Sequence, residues 1–250
     1  MILIKLGGSV ITNKEKPLSV RKKTIDDISK NLKKIDEPLV IVHGGGSYGH
    51  YWSVKYDMHT KQRKYDLRGV AVVKKSMIEL NRIILDSFLK NRLNPYSIPP
   101  TDFMIENKPN TKKIKEMGKI SKSGLIPITY GDALWYGQNK TYILSGDKIM
   151  TYLAKILRPK LSIFALNEDG LYSDFKSKKL IYDFKDENPS IAENKIDVTG
   201  GMTRKVQEAI KISKMGMNVF FVNGNKPKQI VKAIKNRKFE GTLFRGGKNA

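Results

Sequence analysis

Residues 43–50 read His43-Gly44-Gly45-Gly46-Ser47-Tyr48-Gly49-His50, and they directly follow the apolar run Leu39-Val40-Ile41-Val42. A short apolar run rich in valine and isoleucine is typical of a buried strand. The glycines after it allow a sharp turn and a close approach of the backbone to a ligand, because they carry no Cβ atom. Free N–H groups in such a turn, next to the start of a helix, bind anions. The segment therefore predicts a phosphate site at the end of a strand, with an imidazole beside it.

The composition limits the class of protein. The chain has 250 residues, of which 40% are hydrophobic, so it can build a full core as one domain or two. No apolar run reaches the roughly 18 residues of a membrane span, and the apolar part of the N-terminus is too short for a signal peptide. The absence of cysteine excludes disulfides and Cys-ligated zinc, and three histidines leave little room for a His-rich metal site. We expect a cytoplasmic protein with no membrane partner.

The formal net charge of +23 has two interpretations. Such a charge is typical of nucleic-acid-binding proteins, and also of the lysine-rich surfaces of heat-adapted proteins. The basic residues are spread along the chain in pairs such as Lys22-Lys23 and Lys112-Lys113, and no block of five or more occurs. This spread favours a solvated surface that helps to attract anionic substrates, while a nucleic-acid-binding role stays open as the alternative.

Apolar strands alternate with amphipathic helices along the chain. Strands are predicted at Ile2–Leu6, 39–42, 96–98, 126–129, 141–144, Leu161–Leu166, 219–222 and 242–244. Helices are predicted at 70–90, 149–157 and 203–215, a polar hairpin or loop at 173–197, and a frayed tail at 246–250. Helices between apolar strands indicate an α/β protein, a three-layer αβα sandwich with an open, mainly parallel central sheet. Such sheets bind their ligands at the carboxyl ends of the strands.

Four further segments combine glycines with charged residues. They are Lys5-Leu6-Gly7-Gly8-Ser9, Ser145-Gly146-Asp147, Asn167-Glu168-Asp169-Gly170-Leu171-Tyr172 and Asp197-Val198-Thr199-Gly200-Gly201-Met202-Thr203-Arg204-Lys205. Lys5 is a candidate phosphate ligand at the end of the first strand. Asp147 either caps a helix or holds lysines by charge. Taken alone, each segment is equally an ordinary turn or cap.

Two common nucleotide motifs are not supported. The spacing Gly44-x-Gly46-x-x-Gly49 matches the dinucleotide fingerprint, which also needs an acidic residue about 20 positions later at the end of a second strand. The nearest candidate is Asp66, and the segment around it has no strand pattern. The Walker pattern of P-loop enzymes does not occur in the sequence.

The order of the five segments resembles that of the amino acid kinase superfamily over residues 2–245. The order is Lys-x-Gly-Gly-Ser, Gly-Gly-Gly-Ser-Tyr-Gly-His, Ser-Gly-Asp, Asp-Gly-Leu-Tyr and Val-Thr-Gly-Gly-Met-x-x-Lys. The closing histidine narrows the resemblance, because relatives that phosphorylate carboxylates or carbamate usually lack it. The resemblance implies ATP-dependent phosphorylation of isopentenyl phosphate to isopentenyl diphosphate, a step of isoprenoid biosynthesis. It also implies one amino acid kinase-like domain over 1–245, which binds the acceptor in its N-terminal part and the nucleotide in the part from about 146 to 245.

The resemblance implies a role for each matching residue. The catalytic residues are Lys5, Lys14, His50, Asp147 and Lys205. The ATP-binding residues are Lys5, Gly7, Gly8, Ser9, Gly46, Asp169, Tyr172, Gly201 and Lys205. The substrate-binding residues are Gly45, Gly46, His50 and Gly146. The family uses Mg²⁺ with ATP and commonly forms homodimers, so both are expected here, and no metal ligand is assigned to the chain.

The chemistry of joining two phosphates agrees with these roles. Two polyanions repel each other, so the reaction needs positioning and positive charge more than covalent catalysis. A protonated His50 would donate a hydrogen bond to the acceptor phosphate, whereas His43 and His59 are expected to be structural or surface residues. Apolar residues of the 70–90 helix are candidates for contact with the isoprenoid tail or for plain core packing: Val70, Val72, Val73 and Met77.

Two departures from the family pattern leave alternatives open. Leu166-Asn167-Glu168-Asp169-Gly170 stands where the family often has Thr-Asp-Val-Asp-Gly, which leaves the nucleotide preference open. Tyr48 stands where phenylalanine is more usual. A kinase of the same fold for a phosphonate such as fosfomycin, or for a nucleoside monophosphate, is the alternative enzyme. A basic nucleic-acid-binding protein on this fold is the alternative from another class.

Overall fold

The computed structural model describes residues 1–13, 15–58, 63–137, 140–174, 176–184 and 200–247. Its strands are β1 (Ile2–Leu6), β2 (Leu39–His43), β3 (Pro95–Ser97), β4 (Met104–Ile105), β5 (Lys108–Pro109), β6 (Ile126–Tyr130), β7 (Asp132–Tyr136), β8 (Lys140–Leu144), β9 (Leu161–Leu166), β10 (Leu171–Asp174), β11 (Lys179–Ile181), β12 (Asp183–Phe184), β13 (Val219–Asn223) and β14 (Gly241–Phe244). Its helices are α1 (Gly8–Ile11), α2 (Lys22–Leu32), α3 (Gly46–Lys55), α4 (Leu67–Lys90), α5 (Thr111–Lys122), α6 (Gly146–Leu157), α7 (Gly200–Lys214) and α8 (Pro227–Ile234). None of the described helices has the length and apolar character needed to cross a membrane.

Eight strands form the central sheet, in the order β12-β14-β13-β9-β1-β2-β6-β3. Every neighbouring pair is parallel except β13 and β14. The central strand β1 is buried along its whole length and pairs with β2 on one side and β9 on the other. Continuous apolar strands such as β1 are expected where helices cover both faces of a parallel sheet.

Helices pack on both faces of the sheet, as the sequence predicts. Alternate residues of β1 point to opposite faces, so Ile2 and Ile4 belong to one core cluster and Leu3 to the other. The first cluster contains apolar residues of α1, α2, α3, α4 and α8. The second contains apolar residues of α5, α6 and α7. The prediction of a three-layer αβα sandwich with a mainly parallel sheet is confirmed.

One predicted strand lies outside the sheet. Residues 141–144 do form a strand, but β8 pairs with β7 in a separate antiparallel hairpin. Only Gly131 separates β6 from β7, so the chain leaves the sheet and folds back over its carboxyl edge. The predicted strand is therefore present, but strand periodicity does not say which strands pair.

Two other expectations are partly covered by the structure. The polar stretch 173–197 begins as an antiparallel hairpin of β10 and β11, and its residues 185–197 lie outside the described residues. The predicted tail 246–250 is described only as far as residue 247. Helix α7 ends near Gly216 as expected, and Gly216 has a positive φ of 87°, which suits the residue after a helix end.

Candidate active site

The two N-terminal glycine segments pack backbone against backbone at the carboxyl ends of β1 and β2. A Cβ atom built on Gly8 would lie 2.4 Å from the backbone nitrogen of Gly46, which itself has a positive φ of 49°. Thr12 joins the two segments, because its Oγ1 accepts a hydrogen bond from Ser47 N at 2.9 Å and donates one to Gly8 O at 2.7 Å. Helices α1 and α3 begin in these segments, and the first N–H groups of a helix have no intrahelical acceptor. The glycines thus bring two sets of donors to one place.

A buried ion pair lies beside these loops. The Nζ atom of Lys5 donates to Oδ1 of Asp147, and both side chains are buried. Burial acts to raise the pKa of Asp147, but the positive charges of Lys5 and Lys205 outweigh it and hold the pKa below its usual value. Asp147 is therefore an ionised carboxylate that fixes the ammonium group of Lys5.

The second turn of α7 brings further positive charge to the same place. The Nζ atom of Lys205 donates to Gly201 O at 2.7 Å. Arg204, its neighbour in sequence, also contributes to the low pKa of Asp147. Because 142 residues separate Lys5 from Asp147 in sequence, only the fold brings the three basic side chains to one carboxylate.

A cavity of about 490 Å³ unites most of the predicted site residues. Nine of them line it: Lys5, Gly8, Ser9, Gly45, Gly46, His50, Gly146, Asp147 and Lys205. Six other lining residues are apolar, namely Val54, Met58, Val73, Met77, Ile143 and Leu144. The rest of the wall is polar or glycine, with Gly44, Gly49, Ser53, Asp57, Gly131, Asp132, Ser145 and Arg204. The cavity therefore has a cationic, glycine-rich end and an apolar end.

Of the four residues of α4 that were candidates for contact with the isoprenoid tail, only two line the apolar end of the cavity. Val73 and Met77 line the cavity, as predicted. Val70 instead packs against the core, and neither Val70 nor Val72 is among the described residues that line the cavity. The additional apolar residues come from α3, from Met58 after α3 and from β8, which the helical pattern of residues 70–90 does not indicate.

A second buried carboxylate lies in the wall of the cavity. Asp132 accepts a hydrogen bond from Lys74 Nζ at 2.5 Å, and this pair joins α4 to the β7–β8 hairpin. Burial raises the pKa of Asp132, and the Lys74 ammonium opposes this only in part. The pair holds the hairpin over the apolar end of the cavity.

The two histidines of the opening segment have different environments. His50 is exposed and lines the cavity. His43 is fully buried, stacks on Tyr130 with ring centroids 5.1 Å apart, and has its Nε2 atom 3.3 Å from Asn81 Oδ1. Burial lowers the pKa of His43 to about 4, so the ring is neutral near pH 7. This agrees with the predicted structural role of His43, while His59 lies outside the described residues.

Gly7, Asp169 and Tyr172 are not among the described residues that line the cavity. Gly7 lies behind it, where a Cβ atom would be 2.7 Å from Ala165 O. Asp169 accepts from Asn223 Nδ2 at 2.9 Å and pairs with Lys226 at 2.7 Å, while Tyr172 OH accepts from Asp169 N at 3.4 Å. Burial acts to raise the pKa of Asp169, but the hydrogen bonds from Lys226 and Asn223 outweigh it and lower the pKa.

Some expected residues and some unexpected ones complete the site. Gly201 begins the turn that carries Lys205, and Lys14 lies outside the described residues. The sequence analysis did not select Thr12, Asp132 or Arg204. Asp132 follows a glycine at the end of a strand, and Arg204 precedes a predicted lysine, so both positions carried a signal. Thr12 carried none, because its role depends on a contact with Ser47, 35 positions away.

The carboxylates around the cavity fit a metal ion that is held by a nucleotide. No group of three or more histidine, aspartate or glutamate residues forms a metal cage within the described ranges. The three aspartates of the wall each pair with a basic side chain: Asp57 with Arg63, Asp132 with Lys74 and Asp147 with Lys5. Mg²⁺ usually keeps several waters and is bound through substrate phosphates and one or two carboxylates. The residues present suit that mode and no all-protein site.

Comparison with protein-family models matches residues 1–223 to the amino acid kinase family. The chain belongs to this family. Among curated proteins, it is 30% identical to the isopentenyl phosphate kinase of Thermoplasma acidophilum over 98% of this chain and 100% of that one. It is 32% identical to the isopentenyl phosphate kinase of Methanocaldococcus jannaschii over 94% of this chain and 95% of that one.

Solved structures agree with the membership of the amino acid kinase family. The crystal structure of the T. acidophilum isopentenyl phosphate kinase product complex matches with a TM-score of 0.81 and 28% identity, over 98% of this chain and 100% of that chain. A carbamate kinase from Giardia matches with a TM-score of 0.71 at 13% identity, over 98% of each chain. The second match concerns the fold alone. As a kinase family, amino acid kinases imply the use of ATP.

Proposed function

We propose that this chain transfers the γ-phosphoryl group of ATP to isopentenyl phosphate, giving isopentenyl diphosphate and ADP. One observation carries the proposal: a single cavity has a cationic, glycine-rich end and an apolar end. The first suits two phosphate groups, and the second suits a short branched hydrocarbon that makes no hydrogen bonds. The full-length similarity to isopentenyl phosphate kinases supports the same acceptor.

The acceptor phosphate supplies the nucleophile. One of its oxygens attacks the γ-phosphorus, the bond between that phosphorus and the β–γ bridging oxygen breaks, and ADP leaves. The acceptor is already an ionised phosphate, so the reaction needs no strong general base. Its main barrier is the repulsion between two polyanions, which positioning and positive charge reduce.

We assign the positive charge to residues from both ends of the chain. Lys5 and Lys205 contact the transferring phosphoryl group, and Asp147 holds Lys5 in place through their buried ion pair. Arg204 adds charge at the same wall. Lys14 has the same assignment from the sequence resemblance. Preorganised charges of this kind are most effective where water is excluded.

The acceptor and nucleotide sites follow from the two glycine segments. We assign the acceptor phosphate to Gly45, Gly46 and Gly146, with His50 as a hydrogen-bond donor from the exposed side. The terminal phosphates of ATP are assigned to Gly7, Gly8 and Ser9. Asp169, Tyr172 and Gly201 are also assigned to the nucleotide. Because Asp169 and Tyr172 do not line the cavity, we assign them to the part of the nucleotide beyond its phosphates.

The proposal includes Mg²⁺ and a homodimer. When bound with ATP, Mg²⁺ neutralises charge on the β- and γ-phosphates. Because the carboxylates of the wall are already paired with basic side chains, we expect the phosphates to provide most of the ligands of the metal. We include the homodimer because members of the family commonly form one.

An acceptor panel tests the function. Purified protein with Mg-ATP should convert isopentenyl phosphate to isopentenyl diphosphate, detected by mass spectrometry, with a higher kcat/KM than for fosfomycin or a nucleoside monophosphate. His50→Ala should lower kcat/KM for isopentenyl phosphate about 100-fold, because the hydrogen bond from the imidazole to the reacting phosphate is lost. Absence of isopentenyl diphosphate, or a higher kcat/KM for another acceptor, contradicts the proposal.

A further inference from the structure

A polar link joins α6 and α7 one helical turn away from the cavity. Thr151 Oγ1 donates to Glu208 Oε2 at 2.5 Å, and Lys211 Nζ donates to Glu208 Oε1 at 2.6 Å. Glu208 is only 7% exposed. Burial of a carboxylate is costly unless its oxygens have donors, and here each oxygen has one. The rest of this helix contact is apolar, with Met150, Leu153, Ala154, Val206, Ala209 and Ile212 in one core cluster.

The link stands directly behind the catalytic turn of each helix. Residues four apart lie on the same helix face, one above the other. On α6 this relation connects Thr151 with Asp147, and on α7 it connects Glu208 with Arg204. The hydrogen bond therefore ties the two helices one turn beyond Asp147 on α6 and Arg204 on α7, which contribute opposite charges to the cavity.

In the first turn of α7, Met202 packs against the second core cluster, and the glycines before it have no side chain to pack. A Cβ atom built at Gly201 would meet only Lys205 Nζ, at 3.9 Å, among the described residues. Apolar packing further along the helix is non-directional, and it tolerates a small rotation or slide of α7. A hydrogen bond has a narrow range of distance and angle, so the Thr151–Glu208 contact limits that freedom.

We propose that Thr151 and Glu208 are positioning residues that fix the register of α7 against α6, and so aim Lys205 and Arg204 at Asp147 and at the phosphates of ATP. This inference rests on the proposed function only for the identity of the acceptor. The role of the Thr151–Glu208 hydrogen bond itself concerns only the two helices and the binding of the nucleotide. Displacement of a catalytic group by about 1 Å can cost about 100-fold in rate, so a modest shift of α7 has a measurable effect.

Three variants of the full chain test the inference. Thr151→Val removes the hydroxyl group and keeps the shape of the side chain, while Thr151→Ser keeps the hydroxyl group. Ser87→Ala is the matched control, because Ser87 Oγ donates to Asp26 Oδ1 at 2.6 Å and joins α4 to α2 away from the cavity. For each we would measure kcat, both KM values, the Kd for the non-hydrolysable analogue AMP-PNP and the Tm.

A positioning role predicts a specific pattern. Thr151→Val should lower kcat about tenfold and weaken AMP-PNP binding about threefold, with little change in the KM for the acceptor. Thr151→Ser should restore both values. Ser87→Ala should lower the Tm by a similar amount and leave kcat and the Kd unchanged. In a double-mutant cycle, adding Thr151→Val to Glu208→Leu should have almost no further effect on kcat.

Two results would overturn the inference. One is wild-type kcat and AMP-PNP affinity in Thr151→Val, and the other is an equal loss of both in Ser87→Ala. If the wild-type protein binds AMP-PNP but forms no isopentenyl diphosphate, the proposed function fails. The Kd values of Thr151→Val and Ser87→Ala still decide the role of the link in that case.

Discussion

The two ends of the chain that bring glycines close to the cavity, the N-terminal loops and the start of α7, are built in opposite ways. At the N-terminal end, a Cβ atom on Gly8 would be 2.4 Å from Gly46 N, so glycine is required by close packing of two backbones. At the start of α7, a Cβ atom on Gly201 would be 3.9 Å from Lys205 Nζ. The first end is held rigid by its own contacts, and the second is held by packing further along α7. A glycine pair in a sequence motif thus indicates a constrained backbone in one place and an open one in another.

Substitution of Lys5 and of Lys205 should show the largest difference in stability between the two ends. Lys5→Met leaves the Asp147 carboxylate buried without its hydrogen-bonded partner, which should cost about 3–5 kcal/mol of stability, and it should lower kcat at least about 1000-fold. Lys205→Met changes a half-buried side chain, so it should cost less than about 1 kcal/mol and still lower kcat about 100-fold. Urea denaturation and steady-state kinetics measure the two effects.

A similar loss of stability in both lysine variants would contradict this comparison. The double variant Lys5→Met with Asp147→Asn is the control, because removing both charges should recover part of the stability and none of the activity.

The glycines themselves give the next largest contrast. Gly46→Ala places a side chain at a φ of 49° and puts its Cβ atom 2.0 Å from Thr12 Oγ1. Left-handed backbone and overpacking together should cost about 3 kcal/mol. Gly201→Ala should change stability by less than about 1 kcal/mol and can raise it, because alanine favours a helix over glycine. Equal effects of the two substitutions on the urea midpoint would show that the N-terminal end is less constrained than the structure indicates.

The buried His43 and the exposed His50 should differ in their effect on the pH dependence of stability. The pKa of His43 is lowered by burial from 6.5 to about 4. In the unfolded chain, His43 is therefore protonated below about pH 6.5, whereas in the folded chain it stays neutral until about pH 4. The free energy of unfolding falls as the pH is lowered through this window. The contribution is at most about 1.4 kcal/mol per pH unit.

Urea denaturation between pH 7 and pH 4 measures this slope. His43→Gln should reduce the slope, since it removes the buried ring, while His50→Gln changes an exposed residue and should leave the slope as in the wild type. The same slope in wild type and His43→Gln would assign the acid sensitivity to other groups.

Sequence periodicity predicted the layers of this fold better than its connections. Ile2–Leu6 and Leu161–Leu166 have the predicted bounds, because strands buried on both faces are continuously apolar. The segment 141–144 is equally strand-like but pairs with β7 outside the sheet. Whether an apolar strand joins a sheet depends on its neighbours in space, which one sequence does not state. Short helices such as α1 were missed because four residues have no measurable period.

The residues of the candidate site also fall into two groups, those that sequence motifs indicate and those that only the fold reveals. Its glycine loops, Lys5, Asp147 and Lys205 are recognisable in order along the sequence, because they stand in motifs of fixed spacing. Asp132 and Arg204 carried only a weak signal from their neighbours, and Thr12 carried none, because the importance of all three comes from contacts with distant parts of the chain.

The sequence by itself determined the αβα layers, the family, and most of the segments that form the candidate site, since these follow from local periodicity and from motifs of fixed spacing. The tertiary structure alone decided that Lys5 is paired and buried, that His43 is neutral while His50 faces the cavity, and that an apolar wall from three separate elements completes the site. The physical reason is that burial, and with it charge state and cavity shape, depends on which distant segments exclude water from each side chain.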